Sequence, residues 1–348
     1  MAPITLCNKK YFTYPLSDNI QNKLTKKLNT KVTSNTICQE ITLPDDKHIS
    51  QRMNLISCLI GSYAIKNMIK SSRFYRIPYI TKKIKALMKY KLKDMDNRTV
   101  GEVINTLQSN GIKVFIHGGL VRDIFIDVKS YDIDLVFDAD IFKIIKICEE
   151  EKYPCTDIDV RNQYVNFGSE KGNSLEGANL TNTFLNARHL HEASINDLTY
   201  DLQNDIIIDI TGYGLIDIVH NQFRLSASPK YWNEWATSDF KRPLRYFKLI
   251  QKGFIPVNQD MHNFVIDYIY QNYDKLYNKN ISPKYPITRI KHFLIKTITQ
   301  GNINTDTGEY TFGPTESKLL PYLFVLRQYL PHSIFVKIIK NFTKDEKT

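Results

Sequence analysis

The stretch from Gly111 to Asp140, GIKVFIHGGLVRDIFIDVKSYDIDLVFDAD, constrains this chain more than any other. Lys113 to Ile116 is a short β-branched and aromatic run that reads as a strand. Gly118 and Gly119 follow, two residues without Cβ that let the backbone turn sharply and approach a ligand. Leu120 to Phe125 then starts a helix, whose free N–H groups favour a phosphate. Asp132 to Phe137 (DIDLVF) is the second strand. Asp132 and Asp134 are two residues apart, so on a strand both point to one face, about 6–7 Å apart at Cα. Carboxylates held so close repel unless a cation lies between them, and hard divalent cations bound by oxygen ligands, often with substrate phosphates, are the usual answer. Two such ions about 4 Å apart can clamp the attacking and leaving oxygens of a displacement at phosphorus. The plainer reading is a turn glycine pair beside a solvent-facing strand edge.

G-G-x-x-R-D from Gly118 to Asp123, followed by D-x-D at Asp132 and Asp134, resembles the signature of the nucleotidyltransferase superfamily. More narrowly, it is similar to the class shared by CCA-adding tRNA nucleotidyltransferases and bacterial-type poly(A) polymerases. The resemblance runs from about Gly111 to Phe254 and extends faintly to Ile295. It implies an α+β fold: a mixed-sheet nucleotidyltransferase palm over residues 98–225, a basic and mainly helical N-terminal extension over 1–97, and a helical nucleotide- and RNA-binding domain over 226–348. It also implies a third carboxylate on a neighbouring strand. Asp157 and Asp159 alternate in TDIDVRNQYVNF, whereas Glu176 lies in SLEGANLTNTF nearer the next motif; the resemblance selects Glu176.

Leu190 to Tyr200 (LHEASINDLTY) resembles the family's second motif, R-R-D-F-T-I-N-A-L-x-Y. Ile195, Asn196, Leu198 and Tyr200 match, Ser194 stands for Thr, and Leu190, His191 and Glu192 replace Arg-Arg-Asp. Asn196 keeps an amide able to contact ribose or triphosphate. Arg188 is a candidate for displaced charge, and His189 and His191 lack partners at a metal spacing. Asp209, Gly212, Asp217 and Arg224 match a stretch that closes the palm sheet. Ser238 to Phe254 (SDFKRPLRYFKLIQKGF) resembles the family's DPLR-x-LRA-x-RFA-x-x-x-GF helix with one residue missing. There Asp239, Arg242, Arg245 and Lys248 fall at nucleotide-binding positions, the three cations at i, i+3, i+6 on one helix face. Pro243 inside this pattern implies a kink or a later helix start. Tyr231, Trp232 and Trp235, just before it, could stack a base, but core packing is the plainer reading.

The formal net charge of +11 over 348 residues favours a polyanionic partner. Much of it lies between Lys66 and Lys93, where no acidic residue occurs and Phe74, Tyr75, Tyr79 and Tyr90 are interleaved. This reads either as an RNA surface, with Lys82, Lys83, Lys85 and Lys89 on backbone phosphates and aromatics stacking bases, or as a solvated helix face whose aromatics are core. Arg52 to Met68 has helical apolar spacing. Thr99 to Asn110 reads as a helix with Thr99 as N-cap and Gly111 as its stop, and Ile141 to Tyr153 as a helix covering one sheet face. The five cysteines are scattered without a C-x-x-C pair, so neither a disulfide framework nor a zinc site is indicated and a reducing compartment fits. No signal peptide and no run of 18 apolar residues occurs, which fits a cytoplasmic protein without a membrane partner.

Together these features predict a template-independent RNA nucleotidyltransferase that adds AMP from ATP to RNA 3′ ends. Asp132, Asp134 and Glu176 would be the catalytic metal ligands, holding Mg²⁺ or Mn²⁺. Gly118 and Gly119 would let the backbone approach the triphosphate, and Arg122 and Asp123 would brace the turn or contact phosphate and metal. The basic N-terminal region and the Lys-, Asn- and Ile-rich composition resemble poly(A) polymerases of large DNA viruses, which implies a virion or viral factory as alternative location and admits a homodimer. No E-D-x-x-R motif follows Phe254, which counts against accurate CCA addition. CCA addition to tRNA and a non-catalytic RNA-binding subunit of the same fold are the competing functions.

Overall fold

The computed structural model describes residues 4–5, 39–40, 73–92, 95–128, 132–161, 163–168, 175–179, 192–281, 287–304 and 307–343. The predicted helix from Arg52 to Met68, and Arg188, His189 and His191, lie outside them. The chain forms two compact units, Met1–His220 and Asn221–Thr348.

The first unit is built on a mixed sheet of ten strands. In chain order they are β1 (Ile4–Thr5), β2 (Gln39–Glu40), β3 (Arg73–Arg76), β4 (Val114–His117), β5 (Ile133–Phe137), β6 (Cys155–Asp159), β7 (Tyr164–Phe167), β8 (Leu175–Asn179), β9 (Leu198–Asp201) and β10 (Ile206–Asp209). Their order across the sheet is β1-β2-β3-β10-β9-β4-β5-β8-β7-β6. The pairing of β5 with β8 is parallel, with Asp134 opposite Glu176. The neighbouring β4–β5, β4–β9 and β7–β8 pairs are antiparallel.

Among the described residues the helices of this unit are α1 (Pro78–Leu87), α2 (Val100–Ser109), α3 (Gly119–Phe125), α4 (Ile141–Glu151) and α5 (Gly214–Val219). The start of α2 is the capping box that Thr99 and Glu102 spell out. The Thr99 hydroxyl accepts from the Glu102 N–H at 3.1 Å, and the Glu102 carboxylate accepts from the Thr99 N–H at 2.5 Å. Ile144, Ile147 and Cys148 bury one face of α4. Its Asp140 N-cap accepts from the Phe142 N–H at 2.8 Å.

Three expectations need correction. Arg73–Arg76, inside the stretch expected to form a helical N-terminal extension, is instead β3, which pairs with β10 in the palm sheet. RFYR is a strand in which Phe74 and Tyr75 are buried. The segment TDIDVRNQYVNF is not one strand but the antiparallel pair β6 and β7. Finally, Cys148 and Cys155 form a disulfide, with Cα atoms 6.2 Å apart. Left-handed Lys152 (φ 56°) ends α4 and returns the chain into β6, which brings together two cysteines whose spacing does not advertise a pair. Closing so short a loop stabilises by about 2–3 kcal/mol on the chain-entropy account.

The hairpin of β9 and β10 is locked to α5 by buried Asp209. Its Oδ1 accepts from the N–H groups of Gly212 (2.9 Å) and Gly214 (3.1 Å), and its Oδ2 from Leu215 (3.0 Å). Buried Ser194 donates to Asp217 Oδ2 at 2.5 Å, tying the second motif to the same helix. Burial pushes the Asp209 carboxyl up to about 6 despite the three N–H donors, which pull the other way. The folded chain therefore holds this proton up to about pH 6, while an unfolded Asp releases it near pH 4. The stability this provides is complete below pH 4 and lost as pH rises through 6, a change on the order of 3 kcal/mol. Asp209→Asn should remove this component, so that urea unfolding between pH 4 and 7 has a flatter pH dependence than in the wild type. An unchanged slope would show that Asp209 is already ionised at pH 4.

The second unit is mainly helical. Its elements include α6 (Trp232–Ser238), α7 (Lys241–Gln251), α8 (Gln259–Asn272), α9 (Arg289–Phe293), α10 (Leu319–Tyr329) and α11 (His332–Thr343), with π-helical turns at Tyr273–Tyr277 and Leu294–Thr299. The helix start predicted around Pro243 falls at Lys241, so the proline sits in the first turn, where no N–H is needed. Trp235 is fully buried, as core packing requires. The Trp232 indole N–H donates to the Ala227 carbonyl at 3.0 Å.

Candidate active site

A row of polar side chains crosses the middle of the palm sheet at one level. Thr199 on β9 is paired with His117 on β4, His117 with Asp134 on β5, Asp134 with Glu176 on β8, and Glu176 with Asn166 on β7. Residues directly opposite in neighbouring strands share a face, so these five line the same side. His117 Nδ1 and the Thr199 hydroxyl are 2.5 Å apart, and both residues are buried. Asp132 immediately precedes β5, two residues before Asp134, and keeps its parity. Adjacent strands lie about 4.8 Å apart, so the backbone brings Asp134 and Glu176 within reach of one ion.

The electrostatics bear out a crowded acidic site. Burial pushes the Glu176 carboxyl above the usual carboxylate range; the hydrogen bond from Tyr164 opposes this, and Asp132 and Asp157 push it further up. Burial also drives the Tyr164 hydroxyl far up, with Glu176, Asp157 and Asp134 adding to the effect. Asp157 sits at left-handed φ 49°, inside a register shift between β6 and β7. Glu176 thus feels Asp132 and Asp157, and Tyr164 feels Glu176, Asp157 and Asp134.

Such a set suits a divalent cation, since every donor is a hard oxygen. A second observation points the same way: Asn166 Oδ1, opposite Glu176, is buried and has no hydrogen-bond partner among the described residues. A buried orphan acceptor of this kind calls for a water or an ion. The side chains as placed do not form a closed cage, for among the described residues no three His, Cys, Asp or Glu groups converge on one point.

Beside this row the chain leaves β4 through Gly118, whose φ of 82° and ψ of −141° only glycine adopts at low cost. The Gly118 N–H donates to the Leu198 carbonyl at 3.1 Å. A Cβ on Gly119 would come within 3.1 Å of the Arg122 guanidinium, so the side chain packs back over the turn. Arg122 and Asp123 are buried. Arg122 Nε and Nη2 reach Asp123 Oδ1 at 2.7 and 2.6 Å, and Nη1 donates to Asn196 Oδ1. Asn196 in turn donates from Nδ2 to Glu192 at 3.1 Å. The first and second motifs are therefore joined by one buried network.

The remaining predicted residues lie in the second unit. Asp239 Oδ1 accepts from the Lys241 N–H at 2.9 Å at the start of α7. Arg242, Arg245 and Lys248 are half-buried on α7. Pro243, Leu244, Tyr246 and Phe247 take its buried face. Arg242 donates to Ser238 Oγ at 2.8 Å, and Lys248 Nζ is 3.4 Å from the Thr297 carbonyl.

Sequence reasoning missed His117, Thr199, Tyr164 and Asn166. The available signal was a polar residue inside an apolar strand, as in YVNF and VFIH.

The mixed sheet with flanking helices is the nucleotidyltransferase fold of CCA-adding enzymes. The Thermotoga maritima CCA-adding enzyme complexed with tRNA superposes with a TM-score of 0.51 and 15% identity, over 78% of this chain and 56% of that one. A tRNA nucleotidyltransferase complexed with a primer tRNA and an incoming ATP analogue is similar at a TM-score of 0.46 and 18% identity, over 70% of this chain and 64% of that one. No protein-family model matches the sequence, and no curated protein matches it either. Among the described residues, no helix is long and apolar enough to cross a membrane.

Proposed function

We propose that this protein is a template-independent RNA nucleotidyltransferase that adds AMP from ATP to RNA 3′ ends. The observation that carries the reading is the parallel register of β5 and β8, which sets Asp134 beside Glu176 next to the Gly118-Gly119 turn. Attack by the RNA 3′-hydroxyl oxygen on the α-phosphorus forms the new P–O bond as its proton passes to solvent water, and pyrophosphate leaves with the electrons of the broken bond. Asp132, Asp134 and Glu176 would hold Mg²⁺ or Mn²⁺, which supplies Lewis-acid stabilisation of the phosphate charge. The chain's own work is positional. The Gly118 turn opens room for phosphate oxygens at the backbone. The Arg122–Asp123–Asn196 network fixes that turn relative to β9. Tyr164 orients the Glu176 carboxylate. Such sites act chiefly by positioning and preorganised charge.

The same chemistry with CTP and ATP would complete tRNA ends. The likeness to the Thermotoga CCA-adding enzyme favours that second reading, while the absence of E-D-x-x-R after Phe254 favours the first. Incubation with an RNA primer and each nucleoside triphosphate separates them. Long tracts with ATP alone mean poly(A) synthesis, and a three-nucleotide stop requiring CTP means CCA addition. No incorporation of any nucleotide, with magnesium or manganese, would leave an RNA-binding protein that keeps the fold and reject both.

A further inference from the structure

The cations of the basic stretch fall on two faces of α1. Lys83 turns toward Asp127 (3.5 Å) and lies over the Tyr79 ring, whose hydroxyl also reaches Asp127. Lys82, Lys85 and Lys89 instead line a groove of about 670 Å³ together with Arg76, Asn204 and Asp205. Lys85 is tied to Asp205 at 2.7 Å, and the other Asp205 oxygen accepts from the Tyr200 hydroxyl at 2.8 Å, so this wall is fixed. Among the described residues no carboxylate pairs with Arg76, Lys82 or Lys89. Three exposed cations therefore face one concavity with a single neutralising acid, already taken by Lys85. A smaller cavity of about 270 Å³ adjoins it, sharing Lys85 and Asp205 and adding the amides of Asn105 and Gln108.

The groove is not part of the catalytic row. Asn204 and Asp205 belong to the turn joining β9 to β10, at the end of the sheet away from Leu198 and Thr199. Tyr200, whose hydroxyl reaches Thr81 and Asp205 in the groove wall, alternates with Thr199 on β9, so the groove opens on the face of the sheet opposite the catalytic row. Lys82 and Lys85 stand about 4.5 Å apart along the helix axis, a ladder of charges for a chain of phosphates. A flat anionic membrane would need a convex basic face with apolar anchors, and this surface is concave.

We propose that this groove binds the sugar–phosphate backbone of the RNA away from its 3′ end, on the sheet face opposite the catalytic row, with the Asn105–Gln108 recess open to a base edge. The proposal rests on the transferase reading only for the direction of the strand, and binding can be measured without catalysis. The test is fluorescence anisotropy of labelled single-stranded RNA with the full chain over a salt series. The wild type is compared with Lys82→Glu/Lys89→Glu, and with the charge-matched Lys143→Glu/Lys146→Glu on α4. The groove variant should bind about tenfold more weakly, and its log K against log salt slope should fall by about 1.4, at about 0.7 per single-strand phosphate contact. The α4 variant should behave as wild type. Lys82→Ala/Lys89→Ala, with a smaller effect of the same sign, serves if the charge reversal does not fold. In primer extension, KM for a long primer should rise while KM for ATP and the rate on a dinucleotide primer stay unchanged. An unchanged slope, an equal loss in the α4 variant, or loss of anionic-vesicle binding with RNA binding intact would each overturn the proposal. If no nucleotide is incorporated at all, the anisotropy result still decides the groove.

Discussion

Asp134→Asn is expected to lower nucleotide incorporation by at least about 10²–10³-fold, the usual cost of removing one preorganised electrostatic contact in a transition state. The fold should survive it. Asp134 is half-buried at the centre of the polar row, opposite Glu176, and Glu176 already feels Asp132 and Asp157. Exchanging a charge for an isosteric amide relieves repulsion among these acids, so the melting temperature without metal should hold or rise. Added magnesium should then raise the melting temperature of the wild type and do so far less in the variant, because a ligand stabilises only the state that binds it. These readouts separate a catalytic acid from a structural one. A structural Asp134 would show a fall in melting temperature, with activity lost only in proportion to unfolded protein.

Some of this site is legible in the sequence and some is not, for identifiable reasons. Thr99 and Glu102, Gly118 and the Asp132–Asp134 alternation are local patterns, and local patterns fix caps, turns and faces. The pairing of Asp134 with Glu176 is different. It joins two distant segments in parallel register, and alternation alone says which face a residue takes, not which residue stands beside it. The resemblance selects Glu176 over Asp157 and Asp159; the register puts Glu176 beside Asp134 and leaves Asp157 near enough to act on Glu176 and Tyr164. The basic stretch shows a similar limit. Its composition predicts a polyanion surface, but charge counts do not sort Lys83, held by Asp127, from Lys82 and Lys89, which face the groove. Pro243 was readable because proline penalises only helix interiors, so the helix had to begin close to it.

Arg122→Ala is expected to give the largest loss of stability of any single substitution in the palm, about 3–5 kcal/mol. The guanidinium is 6% exposed and meets Asp123, at 5%, and Asn196, at 9%. Truncation leaves a carboxylate and an amide buried with one partner fewer each, and the penalty for that exceeds the net worth of the contacts themselves. Loss on this scale should lower the melting temperature by roughly 10 °C for a unit of this size. Arg122→Lys should recover only part of it, since an ammonium cannot present the planar fork that engages Asp123 and Asn196 together. In a double-mutant cycle with Asn196→Ala the two changes should couple by about 0.5–3 kcal/mol. If Arg122 served chiefly as a phosphate contact, Arg122→Ala would instead leave the melting temperature almost unchanged, raise KM for ATP and show no coupling to Asn196. The buried network predicts the opposite order of effects: stability falls first, and activity follows because the Gly118 turn is no longer held against β9.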